Sequence, residues 1–222
     1  MWCIQQITPE YRKRMYALLN LYKEEYDPRR PVVCFDEKGK QLLEPVWESI
    51  KAHPGSLEKE DYEYKRMGTC NIFVAVEPKA GKRYIQVTAK RTKGDFVNFI
   101  KEMVDKRYSK IKMVRLVLDN LNTHFKSTFE EMLPKKEAKR ILKNIEFYYT
   151  PVHASWLNMA EIEINCMDRQ CIGGRIGDKK ELASKIKAWS WQRNQKNKKI
   201  DWRFTRQDAD RKIIQILCYI IK

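Results

Sequence analysis

Met113-Val114-Arg115-Leu116-Val117-Leu118-Asp119 is a short apolar run that stops on an acid. Its β-branched and aliphatic residues, with no helical period, read as a strand buried on both faces. Val32-Val33-Cys34-Phe35-Asp36-Glu37 repeats the pattern nearer the N-terminus. An acid in such a run is costly to bury without a partner. At a strand end, however, it lies where α/β sheets keep their ligand sites. Working outward, residues 69–76 and 83–88 read as strands joined by the turn Pro78-Lys79-Ala80-Gly81, and residues 145–150 as another. Helical spacing is found over residues 9–26, 95–108, 124–144 with an interruption at Pro134, 158–172, 179–195 and 206–221. Residues 38–67 read as a long loop or loose hairpin. Three strands come first, as a meander, and then helices alternate with strands, which favours parallel pairing in the same sheet. The predicted fold class is α/β, a mixed β-sheet flanked by helices, in one domain of roughly 200 residues.

Composition removes several function classes. The 222 residues are 43% hydrophobic and 11% aromatic, enough to build a core, so disorder is excluded. No apolar run approaches the roughly 18 residues of a spanning helix, so no membrane partner is expected. The start, Met1-Trp2-Cys3-Ile4-Gln5-Gln6, lacks a signal-peptide pattern. The six cysteines, Cys3, Cys34, Cys70, Cys166, Cys171 and Cys218, are scattered without a C-x-x-C pair and read as reduced thiols of a cytoplasm-like compartment. Cys166 and Cys171, with His153, make a poor zinc set, because a spacing of five on a helix separates the side chains by roughly 140°. Lysine and arginine exceed aspartate and glutamate to give a net charge of +16, which favours a polyanionic partner such as nucleic acid.

A third acid completes a constellation. In Ser155-Trp156-Leu157-Asn158-Met159-Ala160-Glu161-Ile162-Glu163 a helix begins and Glu161 falls in its first turn. Asp36, Asp119 and Glu161, at two strand ends and one helix start, can converge on Mg²⁺, a hard cation that takes carboxylate oxygens. Two such ions about 4 Å apart clamp the attacking and leaving oxygens of a phosphodiester. Each acid also has an ordinary structural reading: Asp36 as a turn former, Asp119-Asn120 as a turn pair, Glu161 as a first-turn acid. Trp156 reads as packing beneath the site rather than a base-stacking platform.

The stretches Pro31–Glu37, Leu116–His124 and Tyr149–Glu163 resemble the three acidic blocks of DDE transposases, most nearly the bacterial insertion-sequence branch of the mariner superfamily. Asp61-Tyr62-Glu63-Tyr64 through Gly68-Thr69-Cys70-Asn71, and Ser190 through Phe204, are also similar to that branch, so the resemblance spans nearly the whole chain. It implies a ribonuclease H-like fold, with Asp36, Asp119 and Glu161 as catalytic triad and ligands of two Mg²⁺ ions, Mn²⁺ substituting. It implies nicking of double-stranded DNA at an element's ends and attack of the freed 3′-hydroxyl on target DNA, by a homodimer in a prokaryotic cytoplasm, at the nucleoid. The block's pattern selects Glu161 over Glu163, two residues apart and about 200° around a helix. Glu37 is second choice to Asp36, because strand neighbours face opposite ways. Asn120, Asn122, His124 and Asn158 are expected to shape the site around the acids.

The other marked feature is basic. Residues 185–211 interleave lysines and arginines with Trp189, Trp191, Trp202 and Phe204. Arg193, Lys196, Lys198, Lys199 and Arg203 are expected to contact the DNA backbone, while Trp189 reads as core. Two departures from the family stand out. Only about 30 residues, read as an N-terminal linker helix (1–30), precede the catalytic domain (31–222), too few for a three-helix reader. End recognition is therefore expected from a separate upstream helix-turn-helix segment. The gap of 42 residues between Asp119 and Glu161 exceeds the usual mariner spacing and is read as a helical insertion around Pro134-Lys135-Lys136-Glu137. The alternatives are another ribonuclease H-like nuclease and an inactive DNA-binding remnant.

Overall fold

The computed structural model describes residues 7–59 and 61–220, with side chains to Ile213. Cys3, the side chain of Cys218 and the last residue of the 206–221 helix lie outside the described residues. The strands are β1 (Val32–Pro45), β2 (Tyr64–Glu77), β3 (Lys82–Thr88), β4 (Val114–Leu118) and β5 (Ile145–Tyr149), in the sheet order β3-β2-β1-β4-β5. β1, β2 and β3 form the antiparallel meander, and β4 and β5 add in parallel. The helices are α1 (Pro9–Lys23), α2 (Lys93–Arg107), α3 (Lys126–Met132), α4 (Lys135–Leu142), α5 (Met159–Met167), α6 (Lys179–Gln195) and α7 (Arg206–Ile220).

Helix boundaries follow local chemistry. Thr8 caps α1 and Pro9 opens it. Thr92 and Asp95 form a reciprocal capping box at α2. Asp178 accepts from Lys180 N and Glu181 N to start α6. The expected helix over 124–144 is two helices, because Pro134 has no N–H to continue the first and its φ suits the entry to the second. The expected helix over 158–172 is α5 followed by a π-turn over Asp168–Ile172. Helix α1 stops at Lys23, three residues early, where Glu24 turns to pair with Arg115 and Tyr26 donates to Glu77.

The largest difference concerns residues 38–67. β1 runs on to Pro45 and β2 starts at Tyr64, so the two ends of this stretch form a paired antiparallel arm with a bulge between Gln41 and Leu43, in keeping with the hairpin reading, while residues 46–59 and 61–63 lie outside the named strands. Lys38-Gly39-Lys40-Gln41 lacks the alternation that signals a strand. The ladder is imposed by the partner strand and by Leu43 N bonding to the carbonyl of Ile176.

Helices cover both faces of the sheet. On one, Val33, Phe35, Phe73, Ala75, Leu116 and Leu118 pack against α2, α3 and α4. On the other, Cys34, Val76 and Val117 pack against α1, α5 and α7, and Ile72 and Val74 against α6 and the π-turn. Helix α1, expected as a linker segment, thus buries Met15 and Leu18 in the sheet's own core. Among the described residues no helix is long and apolar enough to cross a membrane. Phe99 centres the first cluster, with ring centroids 5.5 Å from Phe35, 5.3 Å from Phe73 and 5.0 Å from Tyr84. Phe99→Ala is expected to cost about 3–5 kcal/mol in denaturant unfolding, from lost burial plus the cavity left behind.

Candidate active site

The register of two parallel strands builds the site. β1 pairs with β4 as Val32↔Arg115, Val33↔Leu116 and Cys34↔Val117. Asp36 stands two residues beyond the last of these pairs on β1 and Asp119 two residues beyond it after β4, so both acids leave this ladder at the same edge, and the charge of Asp119 acts on Asp36. Glu161 arrives through Asn158. This side chain is fully buried, caps α5 by accepting from Ala160 N at 3.1 Å, and donates to the Phe35 carbonyl at 2.7 Å. The start of α5 is thereby tied to the residue before Asp36, and Glu161 stands one turn in.

The electrostatics report the convergence. Asp36 is pushed up to about 7, first by burial and then by the charges of Asp119, Glu161 and Glu37, against a 2.8 Å hydrogen bond from Glu37 N. Asp119 goes the other way. Burial would raise it, but the hydrogen bond and charge of His124 and the Leu121 N–H outweigh that and lower it. His124 is buried, with Nδ1 2.6 Å from Asp119 Oδ1 and Nε2 3.0 Å from Glu37 Oε2. Burial would lower its pKa, yet the two carboxylates raise it to about 9.

Around the acids, Asn120 accepts from Arg14 Nη1 at 2.6 Å and donates to the Thr150 carbonyl, which ties the loop after β4 to α1 and β5. Asn122 is exposed. Glu163 faces away from the acids, into a buried pair of arginines, Arg83 and Arg193. That contact corrects the expectation for Arg193, whose guanidinium is spent on Glu163 and is not part of the basic surface. Lys196, Lys198, Lys199 and Arg203 are exposed, Arg203 beside Asp201. Trp189 is core, as expected, and Trp156 is half-buried, edge-on to Phe204. Cys166 and Cys171 are free thiols. Sequence reasoning gave Glu37 second place and missed Arg14 and Arg91. Arg91 Nη1 lies 3.5 Å from Glu37 Oε1. The sequence signal for Glu37 was its adjacency to Asp36, and no local signal pointed to the arginines.

Among the described residues, no three His, Cys, Asp or Glu side chains are drawn together as a ready-made metal cluster. The donor chemistry nonetheless fits a hard divalent cation. Carboxylate oxygens are its preferred ligands, and a cation would offset both the burial and the neighbouring negative charge that raise Asp36.

The sign of the pH effect follows from Asp36. The folded protein holds a proton there that the unfolded chain has already released above about pH 4. Stability of the metal-free protein should therefore decline as pH rises from 4 through 7. Asp36→Asn should remove that decline, gaining on the order of 4 kcal/mol over the parent at pH 8 and little at pH 4. Denaturant titrations at the two pH values measure it.

Comparison with known proteins bears on this arrangement. The solved structures similar to this chain include the Mos1 mariner paired end complex with Mn (15% identity, TM-score 0.55, 89% of this chain and 62% of that one) and the Mos1 strand transfer complex (14%, 0.57, 89% and 61%). The Mos1 paired end complex with Mg is alike (14%, 0.56, 89% and 62%). This chain therefore spans about six tenths of the length of those proteins. At such identity the likeness shows the fold, which is ribonuclease H-like. No curated protein sequence matches. Residues 31–183, more than half of the chain, match a family described as DDE superfamily endonuclease. That span contains Asp36 within β1, Asp119 just after β4 and the start of α5, and the chain belongs to the DDE superfamily endonucleases.

Proposed function

We propose that this chain is the catalytic part of a DDE transposase of the mariner superfamily, in its bacterial insertion-sequence branch. It nicks double-stranded DNA at an element's ends and joins the freed 3′-hydroxyl to target DNA. The observation that supports the reading is that the charges of Asp119 and Glu161 both act on buried Asp36, with Glu161 on a helix tied through Asn158 to the strand that carries Asp36. Asp36, Asp119 and Glu161 would hold two Mg²⁺ ions, or Mn²⁺ in their place. When bound, such cations polarise the scissile phosphate and lower the pKa of a coordinated water. The protein's part is orientation. His124 fixes one oxygen of Asp119, Asn120 fixes the loop behind it, and Asn158 fixes the depth of α5. Lys196, Lys198, Lys199 and Arg203 would track the DNA backbone, consistent with a net charge of +16. The Mos1 proteins it resembles were solved as paired-end and strand transfer complexes. By analogy the working form is a homodimer in a prokaryotic cytoplasm, in which α1 packs as part of the catalytic domain first read as residues 31–222, and a separate helix-turn-helix segment reads the ends.

The test is nicking of supercoiled plasmid. Metal-dependent nicking is expected, with Asp119→Asn slower by at least about 100-fold. Joining of a 3′-hydroxyl oligonucleotide to plasmid separates a transposase from a hydrolytic nuclease. DNA binding with no nicking under any metal would point to an inactive remnant. Replacing Lys196, Lys198 and Lys199 together by alanine should weaken binding across sequences and flatten the dependence of log K on log salt by about 2–3.

A further inference from the structure

Glu163 sits two residues beyond Glu161 on α5, so their side chains leave the helix about 200° apart. Its carboxylate takes two guanidinium forks. Arg83 at the start of β3 gives Nε at 2.6 Å and Nη2 at 3.0 Å, and Arg193 on α6 gives Nε at 2.8 Å and Nη2 at 3.1 Å. The Arg83 and Glu163 side chains are 0% exposed. The Arg193 guanidinium also lies 5.1 Å over the Trp189 ring.

The network continues into the basic turn after α6. Arg83 donates to the carbonyls of Gly81 and Lys198. Asn194 pairs with the Arg83 backbone in both directions, accepting from N at 2.7 Å and donating to O at 3.0 Å. Asn197 adopts φ 44° and packs directly on Gly81, where a Cβ would come within 2.4 Å of the Asn197 carbonyl carbon. Lys196, Lys198 and Lys199 are thus exposed side chains on a backbone bolted to the same ion cluster that anchors α5.

A buried acid with two arginines is a poor device for stability alone, since apolar residues of similar volume often serve as well or better. Forked charge-assisted hydrogen bonds do supply direction. We propose that Glu163 is a positioning residue. It fixes the rotation of α5 that turns Glu161 toward Asp36, and through Arg83 it fixes the turn that carries the lysines. Metal-facing acid and DNA-facing lysines then share one rigid frame. The inference rests on the proposed roles of Glu161 and of those lysines.

The test uses the full chain and Mn²⁺. In the parent protein, Mn²⁺ binding should slow hydrogen exchange at the Lys198 and Ile200 amides, which bond to the Arg193 and Pro78 carbonyls, by about threefold or more. Glu163→Asp and Arg193→Lys keep the charges but cannot keep both forks. Each, measured below its own melting temperature, should bind Mn²⁺ about tenfold more weakly by electron paramagnetic resonance, with nicking partly rescued by more Mn²⁺. Ile141→Ala, a core change in α4, should lower the melting temperature and leave Mn²⁺ affinity unchanged. Parent protein that binds Mn²⁺ with no slowing at the turn would overturn the positioning role, as would folded variants with parental affinity. Parent protein that binds no Mn²⁺ would instead overturn the reading of the acids, and this inference with it.

Discussion

The parallel pairing of β1 with β4 is the constraint on which the rest depends. Cys34↔Val117 leaves no freedom for the two residues that follow, and it brings Asp36 and Asp119 to the same end of the sheet. Two carboxylates on adjacent strands repel each other, and burial makes the repulsion stronger. The sheet tolerates this because its neighbouring residues are packed from both sides. Val33, Phe35, Leu116 and Leu118 are buried under α2 and α3, and Cys34 and Val117 under α1 and α5. The elevated pKa of Asp36 comes first from its burial and then from the charges of Asp119, Glu161 and Glu37. A one-residue slip would turn Asp36 to the other face and bury a different set of side chains. Core packing and the placement of the acids are therefore specified together.

The acid that follows β4, the start of α5 and the limits of α6 were legible in the sequence because each has a local signal, an apolar run that stops or a capping residue before a periodic stretch, whereas Asp36, read as a strand end, stands inside β1, which runs on to Pro45. What stayed hidden depends on partners distant in the chain. Residues 38–67 were open between a loop and a loose hairpin because Lys38-Gly39-Lys40-Gln41 has no alternation of its own, and the strand boundaries of the arm are set by the pairing of β1 with β2. Arg193 stands in a basic stretch, and such stretches are usually solvated. Its acid lies thirty residues earlier on another helix. The link from Glu37 to His124 crosses 87 positions. Charge pairing of this kind is a property of the folded surface geometry, and a one-dimensional pattern does not carry it.

Two pairs of neighbouring acids show how backbone periodicity assigns roles. Asp36 and Glu37 are adjacent on a strand, so they project to opposite faces of the sheet. Glu161 and Glu163 are two apart on a helix, so they too diverge. In each pair one acid faces the candidate site and the other meets a base: Glu37 meets His124, and Glu163 meets Arg83 and Arg193. The site is thereby left with three carboxylates, although five acids lie within three short segments. The distinction has a chemical consequence. Under the proposed function, two further unpaired acids would add negative charge at the site and repel a phosphate backbone approaching it. His124 joins the two systems, since the same ring touches Asp119 on the side of the candidate site and Glu37 on the other. The bases that neutralise the outer acids are also the groups that fix the inner ones in direction, so limiting the charge of the site and setting its geometry are one arrangement.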